Sequence, residues 1–376
     1  MVNDGLRIRV VATKRDLATF IKLPWKIYKD YPQWVPPLIS ERKKMLDRQH
    51  NPFFQHSQAE YFLAERNGEV VGRIAAIVNH AHNEFHHDQN GFFGFFEAVE
   101  DEEVFRALLT AAQDWLRARG MTGVLGPMNP SSNDDMGCLL QGYDQPPAVM
   151  MPYNPPYYIT LMEKCGMQKA KDLLAYFLKS AEAQESEKLK AIAAEVRAKL
   201  GVSVRPVRIN DLERELVLIR QVYNDAWSNN WGFVPMTEAE FQHTANDLKQ
   251  ILDPEVALLA FIGDRPVAFL VGLPDINEIL IKIRDGRLFP TGFIKFLLGK
   301  NKIRTVRVIT LGVIRDLQQT GMGALMYLEI VQRGKKRGYV KGEMSWILED
   351  NAAMNRGAQL LGGSVSKKYR IYQAPL

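Results

Sequence analysis

Hydrophobic and polar residues follow two distinct periods along the first half of the chain. Residues 6–12 alternate between apolar and polar side chains, which predicts a strand. Residues 61–77 predict a hairpin, because two apolar runs flank Asn67-Gly68, a pair suited to a tight turn. Residues 101–119 carry apolar side chains at helical intervals before a glycine, which predicts an amphipathic helix. This succession of strands and helices is typical of a mixed α/β domain.

The same succession recurs in the second half of the chain. Residues 204–212 repeat the pattern at the start of the chain, and residues 258–272 repeat that of the hairpin, at a spacing of about 195 residues. A period of this length indicates a duplicated domain and not a solenoid. The stretch between the two copies has apolar residues at helical spacing. We therefore predict domains at residues 1–180 and 202–376, joined by a connecting helix over residues 181–201.

Bulk composition narrows the class of protein. The chain has 376 residues, of which 46% are hydrophobic and 24% are charged, as in globular proteins. No apolar run reaches the roughly 18 residues that span a bilayer, and the N-terminus lacks the pattern of a signal peptide. The two cysteines, Cys138 and Cys165, are not in a CxxC motif, so we expect neither a disulfide framework nor a thiolate zinc site. These features favour a cytoplasmic protein.

The charge of the chain is mildly basic. The formal net charge is +5, and the basic residues are dispersed along the sequence. This distribution does not indicate a nucleic-acid partner. A slightly basic surface suits a polyanionic cofactor or an anionic membrane face equally well.

The strongest functional pattern lies near the C-terminus. Residues 306–313 are rich in β-branched side chains and predict a strand. A short polar loop then leads to Gly321 and Gly323, which open a helix. The backbone N–H groups of such a loop and the positive end of the helix dipole favour a bound anion. We therefore predict a phosphate-binding cradle at residues 306–324.

The loop sequence resembles a family signature. Gln318-Gln319-Thr320-Gly321-Met322-Gly323 matches the pattern Q/R-x-x-G-x-G/A of the Gcn5-related N-acetyltransferase (GNAT) family. The surrounding order of elements also matches, and the last helix runs from Asn351 to Gly362 as it does in that family. The resemblance covers most of residues 202–376, while the first half is similar by pattern alone. It implies an α+β (mixed α/β) fold of two tandem acyl-CoA N-acyltransferase-like domains, each a central mixed, splayed β-sheet flanked by helices.

The resemblance also implies a cofactor site and a reaction. An acyl-CoA, acetyl-CoA by family default, would lie in the split between the strand at residues 306–313 and the strand at residues 341–348. Its acyl group would pass to a primary amine by direct attack in a ternary complex, without a metal. The residues implied in binding the acyl-CoA are Leu311, Val313, Gln318, Gln319, Thr320, Gly321, Met322, Gly323, Ala324 and Asn351.

The first half departs from the signature. At the corresponding position, residues 97–103 read Glu-Ala-Val-Glu-Asp-Glu-Glu. Carboxylates at this point would repel a pyrophosphate. We therefore expect one cofactor site, in the C-terminal domain, and a degenerate N-terminal domain.

The catalytic residues are marked less clearly. The family often carries a tyrosine midway along the last helix as general acid, but Ala358 stands at that position. Tyr369 is a candidate for the missing acid, with Tyr327 and Tyr372 also near in sequence, and a packing role is the alternative for all three. Glu343 lies in an otherwise apolar strand, where a buried carboxylate suits a general base. The alternative is that the Glu343 side chain faces solvent.

Two segments are candidate walls of the acceptor site. Asn230, Trp231 and Phe233 occupy the region that lines the acceptor pocket in the family, and aromatic packing under a loop is the alternative. Asn129 and Ser131 lie in a polar loop where the first sheet would open, and a plain surface loop is the alternative.

Residues 80–88 hold four of the seven histidines. Such a cluster could bind zinc. The asparagine and aspartate residues around it favour an exposed loop between strands, and we expect no metal site; a contact with substrate at the domain interface is a further alternative.

An insert over residues 274–304 separates the second hairpin from the cradle. Its apolar residues Ile276, Ile279, Leu280 and Ile283 recur at helical spacing, with basic residues interleaved further along. This pattern is typical of a pair of lid helices that cover the sheet, or of a segment that lies on an anionic membrane or lines a channel for an acyl chain. The second interpretation predicts a peripheral contact with the inner membrane face through residues 276–304.

The leading functional hypothesis is an acyl-CoA-dependent N-acyltransferase acting on a small-molecule or lipid amine, with no nucleic-acid partner. One alternative is a long-chain acyl-CoA N-acyltransferase acting on a lipid or sphingoid amine. The chain also resembles a bacterial group of tandem acyltransferases associated with lipid amine acylation. A non-catalytic module that binds CoA or lipid is a further alternative, which Ala358 keeps open.

Overall fold

A computed structural model describes residues 5–179, 187–228 and 230–376. Its strands are β1 (Leu6–Val10), β2 (Ser57–Arg66), β3 (Glu69–Asn79), β4 (Asn90–Ala98), β5 (Gly123–Gly126), β6 (Met128–Asn129), β7 (Asp135–Met136), β8 (Cys138–Gln141), β9 (Gln168–Lys179), β10 (Val202–Pro206), β11 (Ala257–Ile262), β12 (Arg265–Pro274), β13 (Thr305–Val313), β14 (Lys341–Leu348) and β15 (Ser364–Pro375). Its α-helices are α1 (Lys14–Ile27), α2 (Ile39–Met45), α3 (His80–His86), α4 (Glu102–Arg117), α5 (Tyr157–Lys164), α6 (Glu187–Leu200), α7 (Leu212–Trp227), α8 (Glu238–Lys249), α9 (Asn277–Leu280), α10 (Phe293–Gly299), α11 (Met322–Lys336) and α12 (Ala352–Leu360). The predicted mixed α/β fold class is confirmed.

These elements form two compact units. The first comprises the chain up to Asp172 together with Leu280–Leu297 and Tyr369–Leu376, and the second comprises Leu173–Ile279 and Leu298–Lys368. The change of unit falls within β9 and within β15. This division differs from the boundary that we placed by sequence, because apolar periodicity marks a strand but not the sheet that the strand joins.

Each unit includes a strand from the opposite half of the sequence. β9 follows α5 of the first half, and its residues Leu173–Lys179 pair antiparallel with β14 in the second unit. β15 ends the chain, and its residues Tyr372–Pro375 pair antiparallel with β5 in the first unit. The duplicated halves are therefore joined by exchanged strands.

The sheet of the first unit runs in the order β1-β2-β3-β4-β5, followed by the end of β15. β4 and β5 are parallel, and the other neighbours are antiparallel. The β2–β3 hairpin turns at Asn67 and Gly68, which both have positive φ, as a tight primed turn requires. The amphipathic helix α4 packs on this sheet and buries Phe105, Leu108 and Leu116, as its spacing predicts.

The sheet of the second unit runs in the order β9-β14-β13-β12-β11-β10, with β13 and β14 parallel. Helix α6 packs against α11 and buries Leu189, Ala193 and Val196. It covers Glu187–Leu200 of the connecting helix predicted over residues 181–201, and residues 181–186 lie outside the described part of the chain. Because its apolar face is buried here, α6 is a structural part of the second unit.

The helices of the described residues lack the features of a membrane span. Across residues 5–179, 187–228 and 230–376, none has the length and apolar character that crossing a bilayer requires.

Candidate active site

The second unit opens where its two parallel strands separate. β13 and β14 pair from Thr305 and Lys341 as far as Val308 and Met344. The next residue of β13, Ile309, is bulged out of the ladder with β12. A bulge of this kind bends a strand. Beyond it, β13 continues along β12 while the end of β14 pairs with β9, so the sheet is splayed.

The loop after β13 leads into the N-terminus of α11. Gly321 is the N-cap and has φ of 89°, a left-handed conformation that suits glycine. No side chain of the described residues caps α11, and the first N–H groups of a helix lack intrahelical partners. A Cβ placed on Gly323 would meet, within the described chain, only the Leu311 side chain at 3.9 Å. An uncapped helix start with open space beside it is suited to a phosphate group.

Two side chains of the signature hold the loop in place. Gln318 Nε2 donates to the carbonyl oxygens of Val313 at 3.2 Å and Ala226 at 3.3 Å. The Thr320 hydroxyl donates to the Leu317 carbonyl at 2.7 Å. These bonds fix the backbone around the cradle. Direct contact of either side chain with a cofactor stays a prediction.

The remaining cofactor predictions divide into two groups. One group follows the path from β13 through the loop to the first turn of α11: Leu311, Val313, Gln319, Met322 and Ala324. Asn351 has a different task in this structure, because its Oδ1 accepts from the Met354 N–H at 3.1 Å and caps α12. The pattern of the last helix is thus explained by helix capping.

Arg315 adds a cation that sequence reasoning missed. Its backbone N–H and its Nε donate to Asp225 Oδ1 at 3.0 and 3.3 Å. The side chain is exposed in the loop between β13 and the cradle. The signature begins at Gln318, so it does not include Arg315 and gave no reason to assign this residue to the site. A guanidinium at this place is suited to an anion.

Two buried hydroxyl groups near the splay make weak hydrogen bonds or none within the described residues. Thr310 Oγ1, one residue beyond the bulge, is buried and has no hydrogen-bond partner within the described residues. The Tyr327 hydroxyl on α11 contacts the Met354 sulfur at 3.7 Å, and sulfur is a weak acceptor. Burial raises the pKa of Tyr327 above its ordinary value. Both groups therefore keep hydrogen-bonding capacity for a ligand.

An apolar cavity of about 60 Å³ lies beside the paired segment of β13 and β14 that precedes the splay. Val308 and Met344 line it from the sheet, and Tyr327, Ile330 and Leu361 line it from the helices. Gly357 of α12 makes room for the tyrosine, since a Cβ there would lie 2.9 Å from Tyr327 Cε2. Tyr327 thus packs closely against α12 at Gly357.

Glu343 does not face solvent, so that alternative is wrong. Its side chain is only 2% exposed, with Oε2 accepting from Lys367 Nζ at 3.0 Å and Oε1 accepting from the Ser345 hydroxyl at 2.9 Å. Arg307 Nε in turn donates to the Ser345 hydroxyl at 2.9 Å. Because both oxygens are engaged in a buried network, this geometry does not support the predicted role of general base.

Tyr369, the candidate acid, belongs to the first unit, whereas Glu343 belongs to the second. Tyr369 is fully buried on β15, and a Cβ placed on Gly137 would lie 3.4 Å from the Tyr369 Cβ. Its surroundings are those of a packing residue, and its catalytic role stays a prediction.

The predicted acceptor residues of the second half form a turn after α7. The Asn230 N–H donates to the Trp227 carbonyl at 2.8 Å, and the Phe233 N–H donates to the Asn230 carbonyl at 3.2 Å. Phe233 is buried with its ring 5.4 Å from that of Tyr223. Asn230 and Trp231 are partly exposed. Phe233 therefore supports the turn, and contact with an acceptor stays a prediction for the other two.

In the first unit, the chain itself fills the corresponding opening. β4 and β5 pair only from Asn90 to Phe92 before they separate. A Cβ on Gly94 would lie 1.7 Å from the Met128 carbonyl, so the segment that follows β5 sits directly against β4. Asn129 Oδ1 accepts from the Phe95 N–H. This plug leaves no opening for a thioester beside Phe95, and it explains the predicted acceptor residue Asn129 as a structural one.

Ser131, the other acceptor prediction in this loop, is also internally bonded. Its hydroxyl donates to Asp134 Oδ2 at 2.8 Å and accepts from the Asn133 N–H at 3.1 Å. The side chain is buried. Its predicted contact with an acceptor is not tested by these bonds, but they account for a serine at this position.

In the first unit, α4 corresponds to α11, and a carboxylate of the chain itself caps its N-terminus. Asp101 is the N-cap of α4, and its Oδ1 accepts from the N–H groups of Glu103 at 2.9 Å and Val104 at 3.2 Å. Arg66 pairs with the other oxygen of Asp101. The N–H groups that would hold a phosphate therefore already bind a carboxylate.

The histidine-rich segment is a helix, so the predicted exposed loop is wrong. Asn79 caps α3 by accepting from the His82 N–H at 3.2 Å, a signal that we read as loop composition. His82 is buried, and burial together with neighbouring His86 lowers the pKa of His82 to about 4. No group of three potential metal ligands occurs in the portion of the chain that the structure describes.

The chain is similar in sequence to known proteins. No protein-family model matches the chain. The chain is 36% identical to protein YghO of Escherichia coli (strain K12) over 372 residues, covering 97% of this chain and 94% of that protein. It is also 36% identical to the bacterial ceramide synthase of Caulobacter vibrioides (strain NA1000 / CB15N) over 384 residues, covering 100% and 98%.

A solved structure gives the fold independently. The tandem GNAT protein from the clavulanic acid biosynthesis pathway, 12% identical, aligns with a TM-score of 0.57 over 98% of both chains. The splayed sheet, the glycine cradle and these relatives agree. The chain therefore belongs to the same family as protein YghO and the bacterial ceramide synthase of Caulobacter vibrioides, and it has the fold of tandem GNAT proteins.

Proposed function

We propose that this chain transfers an acyl group from an acyl-CoA to the primary amine of a long-chain, sphingoid-type base. The observation that carries the proposal is the splay between β13 and β14 together with the uncapped start of α11. The relative named as a ceramide synthase matches over the whole chain and supports a lipid amine as acceptor.

The donor would be held by backbone groups of the second unit. The first turn of α11 and Arg315 would bind the pyrophosphate, because the helix start offers N–H donors and the exposed guanidinium offers a cation. The edge of β13 beyond Ile309, which is no longer paired with β14, would bind the pantetheine amides. The thioester would then lie near Val308 and Met344.

The reaction needs one bond to form and one to break. The amine nitrogen attacks the thioester carbonyl carbon, the new C–N bond forms, and the C–S bond breaks. The amine loses a proton to water, and the departing thiolate gains one. Tyr327 is our proposed source of that proton, since its hydroxyl is buried and hydrogen-bonded only weakly, and the proton that the amine released to water would then restore the hydroxyl.

Replacing Tyr327 by phenylalanine should lower kcat about tenfold to a hundredfold, toward the lower end for general acid catalysis because a thiolate is a good leaving group. The affinity for free CoA and the thermal stability should change little, since the hydroxyl loses only a weak bond to the Met354 sulfur. Steady-state kinetics and a thermal shift assay measure these quantities.

Tyr339→Phe is the matched control. Tyr339 lines the same cavity, but its hydroxyl donates to Asp253 Oδ2 at 2.9 Å and is already satisfied. This variant should retain its kcat. An equal loss of kcat in both variants, or none in Tyr327→Phe, would assign the acid to another group.

A short-chain donor, such as acetyl-CoA, is the second candidate. The cavity beside the paired segment of β13 and β14 is small, about 60 Å³, and it opens on one side. A space of this size suits a short acyl group, whereas a long acyl chain would extend through the open side.

The deciding experiment is a turnover assay with purified protein. Acetyl-, octanoyl- and palmitoyl-CoA are each offered with sphinganine, with a short diamine and with an amino sugar, and free thiol is measured. We expect turnover of sphinganine with the long-chain donors. Preference for acetyl-CoA with a water-soluble amine would select the short-chain candidate. Tight binding of CoA without turnover of any pair would overturn both and favour a binding module.

A further inference from the structure

The insert between the second hairpin and β13 ends in an exposed apolar surface. Phe289, Phe293, Ile294 and Leu297 are exposed by 68, 39, 56 and 57%; we call these four residues the insert tip. Nine large apolar residues are exposed in the described chain, and five of them lie between Phe289 and Leu298. Large side chains scattered singly need no explanation, but a cluster of this kind marks a contact surface.

The base of the insert is anchored, so the tip is not a loose loop. The Trp25 Nε1–H donates to the Arg284 carbonyl at 2.8 Å, and Arg284 Nη1 donates to the Trp34 carbonyl at 2.7 Å. The Ile39 N–H donates to the Gly286 carbonyl at 2.9 Å. A Cβ on Gly286 would lie 2.4 Å from Trp25, which shows how closely the base is packed. The aromatic, proline-rich segment after α1 is thus the support of the insert.

The tip itself has a defined shape. The rings of Phe289 and Phe293 are stacked with centroids 5.2 Å apart and an interplanar angle of 17°. Lys295 Nζ donates to the Lys282 carbonyl at 2.8 Å and joins the two limbs of the insert. Ile283, at the base, is buried. The apolar residues of the insert are therefore divided between a packed base and an exposed end, which is not the pair of lid helices expected over the sheet.

Exposed basic residues border the tip. Lys282, Arg284, Arg287 and Lys295 are all exposed, and Asp285 is the single acidic residue between Leu280 and Leu297. A segment that exposes both apolar side chains and cations is complementary to a bilayer with anionic headgroups, because the apolar side chains enter the acyl boundary and the cations pair with phosphate.

We propose that the insert tip docks this protein on the surface of a membrane that contains anionic phospholipid. Phe289 and Phe293, with Ile294 and Leu297, enter the interface, and the four basic residues meet the headgroups. The proposal is independent of the acyl donor and acceptor, since it rests on surface shape and charge alone. It would also give the protein access to any substrate that partitions into a bilayer.

Vesicle co-sedimentation tests the proposal with the full-length chain. Vesicles of phosphatidylcholine alone are compared with vesicles that contain about 30% phosphatidylglycerol, at two salt concentrations that change the screening length. We expect binding to the anionic vesicles that weakens with salt. The double variant Phe289→Ser/Ile294→Ser should lose about tenfold or more in affinity, and Lys282→Glu/Lys295→Glu should lose the preference for anionic lipid.

Val217→Ser is the matched control, because Val217 is a large apolar residue exposed on α7 outside the insert. It should bind vesicles as the wild type does. Absence of wild-type binding, or an equal loss in this control, would overturn the proposal. A second copy of the chain could also bind the tip, and sedimentation velocity tests this. If the wild type is a dimer, the tip variant is a monomer and neither binds vesicles, the tip is an interface between two copies and the docking proposal is wrong.

Activity gives a separate readout. With donor and amine presented in detergent micelles, the tip variants should turn over as the wild type does, since the tip has no part in the proposed active site. If the proposed function fails and no substrate is turned over, vesicle binding still decides the docking proposal.

Discussion

Gly323→Glu should abolish binding of coenzyme A without unfolding the protein. Gly323 lies in the first turn of α11. The space beside it is open, because a Cβ placed there would meet only the Leu311 side chain, at 3.9 Å, among the described residues. A carboxylate there would stand where the pyrophosphate binds, and juxtaposed like charges cost several kcal/mol. We expect the dissociation constant for CoA to rise about a hundredfold or more.

The same substitution favours the fold. Replacing a glycine within a helix raises the free energy of unfolding by about 0.5–1 kcal/mol. An acidic residue in the first turn raises it by a few tenths of a kcal/mol more, through the helix dipole. The free energy of unfolding should therefore stay level or rise by about 1 kcal/mol. Weaker CoA binding together with unchanged or greater stability would show that the binding site is lost while the protein stays folded.

Gly323→Ala is the control for this variant. It should gain the same helix propensity and retain most of the affinity, because one methyl group fits the open space. Isothermal titration with free CoA measures affinity, and urea unfolding measures stability. Unchanged CoA affinity in Gly323→Glu would place the pyrophosphate elsewhere. Position 321 is a poorer choice, because φ is positive there and a Cβ would lie 2.6 Å from Ile192.

Lys367→Met should produce the largest loss of stability. Lys367 Nζ lies 3.0 Å from Glu343 Oε2, and both side chains are almost fully buried. Removing the lysine leaves a buried carboxylate without its countercharge, a change that costs about 3–5 kcal/mol. Urea unfolding should show a lower midpoint with little change in slope.

The double variant Lys367→Met/Glu343→Gln shows whether the charge is the cause. It removes both charges at similar side-chain volume, so much of the stability should return. The double variant also tests the base hypothesis for Glu343, because turnover that persists after stability returns would exclude an essential carboxylate. A double variant as unstable as Lys367→Met would mean that packing around the lysine stem, and not the ion pair, is decisive.

Local chemistry made several elements predictable from the sequence. Asn67-Gly68 specified its turn because few residue pairs tolerate two positive φ values. The glycines of the cradle were equally informative, since Gly321 adopts a left-handed conformation at the start of α11. In both cases the decisive constraint acts within a few residues, which is the range that a sequence pattern covers.

The unpredicted features depend on partners far along the chain. The Glu343 ion pair requires Lys367, which lies on a different strand, and nothing in the apolar run around Glu343 indicates it. The plug of the first unit requires Asn129 to reach the Phe95 N–H across 34 positions. The acidic stretch predicted a place unsuited to a phosphate, but nothing in its composition indicated that Asp101 caps α4.

The exchanged strands have a consequence for how the gene can be divided. A fragment that ends at Lys179 carries a β9 whose partner β14 is encoded later, and it lacks the β15 residues that pair with β5. A fragment that begins after β9 has β14 without its partner β9, and β15 without its partner β5. Each fragment alone would present unpaired strand edges, which promote aggregation, whereas the two together hold every pairing. The duplicated halves are thus a pair of complementary fragments and not interchangeable modules.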